Sequence, residues 1–269
     1  MYINSIVIID YILATRFAKT KAFIHIHELP QGYASKIFSK LLSFSGAHLI
    51  FISSASKNAF IHLKNAKQSI VWNGVKPLQQ SKPIAEALNK IKLLLIGRIN
   101  SWKGQPLLIE AIALLSDTEK NIIEVQIVGD VFMDQQQLKT ELTEQIFKNN
   151  LQDKIKISPF TTSPEVFYNW ADVVIVPSLL PEPFGLVAIE AMSLGKLVIA
   201  AGHGGLKEII THNVSGMLFK PGDANDLSHK IKEVIQNPSL ITVLGENGRR
   251  KFETNFTEEI YIKKINELI

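Results

Sequence analysis

Short apolar runs alternate with amphipathic segments along most of this chain. The runs are Ser5–Asp10, Ala22–His27, Ala47–Ser53, Ser69–Trp72, Lys92–Ile96, Ile123–Gly129, Ile155–Ser158, Asp172–Ser178 and Leu197–Ala201. Continuous apolar runs of this length read as strands buried on both faces of a parallel sheet. Between them lie segments with helical spacing. Tyr33–Ser45 is the clearest, with apolar residues at 33, 37, 38, 41, 42 and 44. Tyr11–Lys19, Ser54–Leu63, Gln105–Leu115, Gln135–Asn149 and Pro164–Trp170 follow suit. Asn213–Lys220 gives a turn and strand, followed by helices Leu227–Gln236, Leu240–Asn255 and Thr257–Ile269. Asp223 and Thr257 are suited to N-cap the helices that follow them, because their side-chain oxygens can accept a free N–H of the first turn. The alternation predicts an α/β protein with parallel sheets wrapped by helices. The polar stretch Val75–Asn89 holds Pro77 and Pro83 and predicts a linker between two units.

Composition narrows the classes. The chain has 269 residues, 46% of them hydrophobic, enough for one large domain or two ordinary ones. It has no cysteine, so disulfide and thiolate chemistry are excluded, which fits a reducing compartment. No apolar run reaches the length of a membrane-spanning helix. The opening Met1–Asp10 has neither a basic leader nor a small-residue cleavage site, so it is not read as a signal peptide. The net charge of +4 hides an asymmetry. Residues 1–75 hold eight Lys/Arg and two Asp/Glu, whereas residues 76–269 hold 21 Lys/Arg and 23 Asp/Glu. The basic first part suits an anionic membrane surface or an acceptor on a lipid phosphate, and ordinary solubilising charge explains it equally well.

The chemistry concentrates after two strands. The run Asp172–Ser178 leads into Pro181-Glu-Pro-Phe-Gly-Leu-Val-Ala-Ile-Glu-Ala-Met-Ser-Leu-Gly195. The expected order is strand, loop with Glu182, then a helix starting at Phe184-Gly185-Leu186. Free N–H groups at a helix start favour anions such as phosphate. Gly185 lacks a Cβ and would let a ligand approach the backbone. Glu190, eight positions after Glu182, falls on the first turns of the helix. Two carboxylates beside a row of N–H donors suit a polyhydroxylated ligand that also carries phosphate. Lys92–Ile96 leads into Gly97-Arg-Ile-Asn-Ser-Trp-Lys-Gly104. Arg98 and Lys103 place a planar fork and a point charge at a strand's C-terminal edge, suited to a diphosphate. His25 and His27 are two apart on one strand and face the same side, without a third ligand spaced for a metal. No Gly-x-Gly-x-x-Gly follows a strand, which argues against a plain Rossmann dehydrogenase.

Glu182-x7-Glu190 within Pro-Phe-Gly-Leu and Glu-Ala-Met-x-x-Gly resembles the signature of retaining glycosyltransferases, especially glycosyltransferase family 4 with the GT-B fold. Gly97-Arg98 with Lys103-Gly104 resembles that family's Gly-Arg…Lys-Gly motif, and His203-Gly-Gly-Leu-Lys-Glu208 its Gly-Gly-x-x-Glu turn. The resemblance covers Gly97 to the C-terminus closely and residues 20–75 loosely. It implies two Rossmann-like domains facing a cleft: residues 1–75 as a partial acceptor-side domain, 76–90 as linker, 91–256 as the donor domain, and 257–269 as a helix returning to the first domain. The family's Gly-rich acceptor loop does not precede Ser5, so an N-terminal portion is expected to be missing, which puts activity in question. The implied donor is a nucleotide diphosphate sugar, with no cofactor, no metal and no nucleic acid partner. Gly97, Arg98 and Lys103 would hold its diphosphate, helped by Phe184, Gly185, Leu186 and Val187. Glu182 would take the sugar hydroxyls and Glu190 the ribose. Phe160 and Thr161 would lie at the base, and His27 with Glu28 on the acceptor side. Arg98, Lys103, Glu182 and His27 are the implied catalytic set. A glycan or lipid-linked acceptor, cell-envelope polysaccharide synthesis and a cytoplasmic place at the inner membrane face complete the expectation. Donor binding without transfer and sugar-nucleotide epimerisation are the alternatives.

Overall fold

The computed structural model describes residues 1–64, 66–80 and 90–269. Two fully parallel sheets organise them. The first has four strands in the order β1-β2-β3-β4: β1 (Tyr2–Ile3), β2 (Phe23–Ile26), β3 (His48–Phe51) and β4 (Gln68–Ile70). Helices α1 (Ile9–Thr15), α2 (Gly32–Ser45) and α3 (Ser54–Asn58) connect them. The second sheet has six strands: β5 (Ile91–Ile96), β6 (Ile123–Val128), β7 (Ile155–Ser158), β8 (Val173–Val176), β9 (Leu197–Ala201) and β10 (Met217–Phe219). Their order is β10-β9-β8-β5-β6-β7. The chain winds outward from β5 through β6 to β7, then crosses back to β8. The switch point therefore falls between β5 and β8, where the loops leaving two adjacent strands part to opposite sides and leave a crevice.

The crossovers are α4 (Gln105–Ala113), α5 (Asp117–Asn121), α6 (Gln136–Lys148), α7 (Glu165–Trp170), α8 (Leu186–Ser193) and α9 (Leu206–Ile209). The tail runs through α10 (Ala224–Gln236), α11 (Ser239–Asn255) and α12 (Glu258–Asn266). Asp223 caps α10 by accepting from Asp226 N, and Thr257 caps α12 by accepting from Ile260 N. Every residue of β8 and β9 is buried. Burial of each large aliphatic side chain in these central strands contributes about 1.5–3 kcal/mol to the second unit. No helix among the described residues is long and apolar enough to cross a membrane.

Helix α12 returns to the first sheet. Tyr261, Ile265 and Leu268 cover Phe23, Ile50 and Val71, and Val75 pairs with Thr257 in an isolated parallel bridge. The stretch expected as linker is therefore anchored at its start. Leu78 N donates to Ser193 Oγ at 3.2 Å, and Asn169 Nδ2 donates to the Gln79 carbonyl at 2.9 Å. The remainder of that expectation, residues 81–89, lies outside the described residues.

Two local expectations need correction, and one helix was not foreseen. Ser5–Asp10 is not a strand: β1 is Tyr2–Ile3, and Asp10 sits in the first turn of α1. The Glu28 carboxylate takes Ser5 Oγ at 2.5 Å and Ile6 N at 3.3 Å, so this segment bends away from the sheet. The helix expected over Ser54–Leu63 stops at Asn58. Helix α5 has no counterpart in the sequence reading, because five polar residues show no apolar period. A capping box between Ser116 and Glu119 holds it instead.

Helix α2 packs on the sheet with an unusual face. Ser35, Ser39, Leu42 and Ser45 are buried, with Phe38 and Leu41 partly buried beside them, while Tyr33, Ile37 and Phe44 point outward. The helix's close neighbour is α1, where Thr15 Oγ1 donates to the Ser45 carbonyl at 3.1 Å, and Ser45 Oγ donates to the Leu42 carbonyl at 2.7 Å.

His25 on β2 is fully buried. Its Nδ1 meets Tyr2 Oη at 2.7 Å, Tyr261 stacks on it at 6.2 Å, and Nε2 has no partner among the described residues. Burial, reinforced by the charge of neighbouring His27, pushes its pKa down to about 3. An unfolded histidine titrates at about 6.5, so between these values the unfolded chain binds a proton that the folded chain excludes. The stability from neutral His25 is complete above that range and falls as pH drops through it, by up to about 1.4 kcal/mol per pH unit. Urea midpoints should decline between about pH 6.5 and about pH 4, and less steeply in His25→Gln. Parallel curves for the two proteins would place the sensitivity elsewhere.

Candidate active site

The loops leaving β5 and β8 are stitched together at the switch point. Leu179 N donates to the Trp102 carbonyl at 2.7 Å. Gly104, at φ +81°, brings the start of α4 so near the Pro177 carbonyl that a Cβ would overlap it. Asn100 shapes the first loop, its Oδ1 accepting from Trp102 N at 3.1 Å and Lys103 N at 2.9 Å. Gln105, fully buried, donates from Nε2 to the Arg98 carbonyl at 2.9 Å. The loop that presents Lys103 is thus fixed by two side chains the sequence reading did not single out. An Asn three residues before the key cation was the available signal.

Lys103 Nζ lies 2.7 Å from Glu182 Oε1, with side-chain exposures of 19% and 8%. Ser178 Oγ donates to the same oxygen at 2.5 Å. His203 Nε2 in turn donates to the Ser178 carbonyl at 2.8 Å, which engages it in the loop. Gly205 N donates to the Glu182 carbonyl at 2.8 Å. Glu182 is therefore held by both side chain and backbone. The structure unites Lys103 and Glu182 across the crevice.

The start of α8 differs from expectation. The helix begins at Leu186 with Gly185 as its N-cap. Phe184 precedes it, buried, and meets Phe256 edge-on at 5.9 Å. Gly185 is needed for packing and for its φ of +131°: a Cβ there would press into Leu206 and Ile209, not toward a ligand. Leu186 and Val187 occupy the first two helical positions, whose N–H groups have no intrahelical acceptor. One turn further on, Glu190 accepts from the buried Tyr168 hydroxyl at 2.6 Å. Burial and the Glu190 charge push the Tyr168 pKa well up, so the phenol stays a donor. Tyr168 was not foreseen as a positioning group.

Arg98 turns elsewhere. Its guanidinium stacks 3.9 Å over the Phe132 ring, exposed, on the β6 side of the loop. A cavity of about 520 Å³ opens there, lined by Arg98, Trp102, Phe132 and Glu141 among others. Gly97 N donates to the Val128 carbonyl at 2.9 Å, tying the loop to β6. Phe160 and Thr161 follow β7, with Phe160 71% exposed and Thr161 Oγ1 accepting from Ser163 N at 3.0 Å.

On the first sheet, His27 Nε2 meets Asn4 Oδ1 at 2.9 Å. Burial lowers its pKa, partly opposed by the charge of Glu28. Glu28 Oε2 accepts from His27 N at 3.0 Å, and its other oxygen serves Ser5 and Ile6. That carboxylate is committed to local backbone geometry. The end of β2 nevertheless reaches the second unit through α3. Ser56 Oγ donates to the Glu28 carbonyl at 3.0 Å, and Ser53 Oγ to the Pro183 carbonyl, beside Glu182, at 2.5 Å.

A further carboxylate joins the two sheets. Glu208 accepts from Ser54 N at 2.9 Å, Ala55 N at 2.8 Å and Trp72 Nε1 at 3.1 Å. All three donors belong to the first unit.

The family model described as glycosyl transferases group 1 matches residues 78–251. The chain belongs to this family. Among curated group 1 relatives, an uncharacterised glycosyltransferase of Methanocaldococcus jannaschii is 30% identical over 86% of this chain and 61% of its own length. The amylovoran biosynthesis glycosyltransferase of Erwinia amylovora is 28% identical over 76% of this chain and 50% of its own. The chain therefore spans 50–61% of the length of these two relatives. Among solved structures, Anabaena HepE in complex with UDP superposes with a TM-score of 0.87 at 26% identity, over 97% of this chain and 75% of HepE. HepE in complex with UDP-glucose gives 0.85 at 25% identity, over 99% of this chain and 78% of HepE. The architecture is the GT-B one, two Rossmann-like units about a crevice.

Two variants test the site's physics. Lys103→Ala leaves a largely buried carboxylate without its cation and should cost about 3 kcal/mol, read as a lower urea midpoint. Adding Glu182→Ala should recover part of that loss, and strictly additive losses would mean the pair is not coupled. Glu208→Ala strands three donors and should lower stability by about 3 kcal/mol while speeding proteolysis between the units. Wild-type proteolysis in that variant would deny the carboxylate its bridging role.

Proposed function

We propose that this chain transfers a sugar from a nucleotide diphosphate sugar to a glycan or lipid-linked acceptor, with retention at the anomeric carbon. The observation that carries the reading is the Lys103–Glu182 pair, held across the switch point of the second sheet beside the start of α8. In this reading Lys103 and the N–H groups of Leu186 and Val187 take the diphosphate and stabilise charge on the departing nucleotide. Arg98 leaves the Phe132 ring to join them. Glu182 accepts from sugar hydroxyls, and Glu190, oriented by Tyr168, from the ribose. Phe160 and Thr161 contact the base, and His27 faces the transferred sugar. The acceptor hydroxyl attacks from the side the diphosphate leaves. The C1–O bond to phosphate breaks as the new glycosidic bond forms, and the acceptor proton passes to the leaving phosphate oxygen.

Uridine is the first base to test, because HepE was solved with UDP and UDP-glucose. Synthesis of a cell-envelope polysaccharide on the cytoplasmic side is the setting proposed for this activity. The amylovoran enzyme supports it by kinship, and the basic first unit by charge.

A thermal-shift panel of UDP-, GDP- and ADP-sugars tests donor binding without an acceptor. A saturating UDP-sugar, at about 100 times its Kd, should stabilise by about 2.7 kcal/mol, a rise of several degrees. No shift with any of the three would overturn the reading. Sugar transfer measured alongside separates an enzyme from a donor-binding chain. Product formed from donor alone would instead indicate epimerisation. With cations supplied by Lys103 and Arg98, transfer should survive EDTA. Abolition by EDTA and rescue by Mg2+ or Mn2+ would refute metal independence.

A further inference from the structure

Only one of the two carboxylate oxygens of Glu182 is engaged. Oε1 accepts from Lys103 Nζ at 2.7 Å and from Ser178 Oγ at 2.5 Å, which fills both of its lone pairs. Oε2 takes no hydrogen bond among the described residues. The two donors differ in kind. Lys103 carries its charge at the end of a flexible four-carbon stem, and its ammonium has three N–H groups to share. Ser178 is fully buried, and its hydroxyl hangs from Cβ by a single bond. Its backbone is pinned on both sides. A Cβ on Gly104 would overlap the Pro177 carbonyl just before it, and Leu179 N just after it donates to the Trp102 carbonyl at 2.7 Å. The Ser178 carbonyl itself accepts from His203 Nε2 at 2.8 Å. The serine hydroxyl is therefore a fixed point, set by the loops after β5, β8 and β9. A carboxylate held by one mobile cation can turn about its last bond, and a second donor fixed to the backbone sets its plane.

We propose that Ser178 is a positioning residue for the sugar of the donor: it anchors Glu182 Oε1 so that Oε2 meets the sugar hydroxyls. The inference rests on the donor reading above and adds the group that decides how Glu182 is aimed. Two open lone pairs on one oxygen can accept from two neighbouring hydroxyls of a sugar ring. When a diphosphate draws on the Lys103 charge, the ammonium turns N–H groups toward phosphate, and the serine bond remains to hold the carboxylate. A hydroxyl bonded to a buried carboxylate is among the stronger hydrogen bonds a site can contain. The Glu182 backbone is set separately, by Gly205 N donating to its carbonyl at 2.8 Å. Loss of the serine hydroxyl therefore loosens the side chain and leaves the loop in place.

The test compares UDP with UDP-glucose by calorimetric titration of the full chain. Ser178→Ala should raise the Kd for UDP-glucose about tenfold and shift that for UDP by less than about twofold. Retained UDP affinity separates a misaimed carboxylate from a damaged fold, because a structural loss would weaken both ligands together. In a Glu182→Ala background, adding Ser178→Ala should change UDP-glucose affinity no further. Unchanged UDP-glucose binding by Ser178→Ala, equal losses for the two ligands, or an undiminished effect in the absence of Glu182 would each overturn this inference and leave the donor reading standing. A wild type that binds UDP alone would remove the sugar contact and this inference with it. A wild type that binds neither ligand would remove the donor reading as well.

Discussion

One carboxylate joins the two sheets of this molecule. Glu208 receives the first two N–H groups of α3 and the half-buried Trp72 indole, donors that a short helix and a partly sheltered ring cannot satisfy alone. Charge-assisted bonds of this kind contribute about 1.5–3 kcal/mol each when both partners are sheltered. The anion also sits at the positive end of α3, adding a favourable dipole term. Around it Trp72 packs on Phe256 at 5.5 Å, and Phe256 on Phe184, so the apolar seam and the polar clamp share residues. Glu208 lies on α9, which starts at Gly205, the residue whose N–H holds the Glu182 carbonyl. The clamp and the candidate site are therefore three residues apart on one rigid turn.

The same principle shapes the crevice. A carboxylate as buried as Glu182 is costly unless charge and hydrogen bonds compensate, and Lys103 with Ser178 supply both on one oxygen. That arrangement pre-orients an acid and a cation without a ligand. Glu182 lies four residues before Leu186, where the free N–H groups at the start of α8 add positive potential. The charges of that pair are in place without a ligand, whereas Arg98 is stacked on Phe132.

Much of this was legible in the chain. Strands β8 and β9 announced themselves because they are buried on both faces and read as unbroken aliphatic runs, while β5 and β6 were legible from their Leu93–Leu95 core and from apolar residues that alternate with Glu124 and Gln126. The two caps at Asp223 and Thr257 were equally plain, since capping is local chemistry. What failed was non-local. Whether Ser5–Asp10 pairs as a strand is decided by Glu28, and the bends at Ser5 and Ile6 cannot be seen from apolar spacing. Gly185 was assigned to a ligand, although Leu206 and Ile209, distant in sequence, are what its missing Cβ accommodates. Glu208 was named only as the end of a Gly-Gly-x-x-Glu turn, and its clamping role was invisible because its partners lie 136 to 154 residues upstream. The helical period of α2 was visible, but period alone does not say which stripe faces the sheet. Ser35, Ser39 and Ser45 lie on the buried face with Leu42, and polar residues carry no apolar signal.

The two units are built on different terms. The second is bound by two apolar cores, one on each face of its sheet. The first is held to it by Glu208, by Ser53 on the Pro183 carbonyl, and by α12 laid across Phe23, Ile50 and Val71. Polar contacts at such a boundary have definite length and direction, so a rotation of one unit against the other breaks them together and does not stretch them gradually. The α12 contact is apolar and less directional, so it can persist through a small rotation. A GT-B crevice that closes on its donor would thus have a natural hinge where Val75 meets Thr257, with the Glu208 clamp setting how readily the closed arrangement is left.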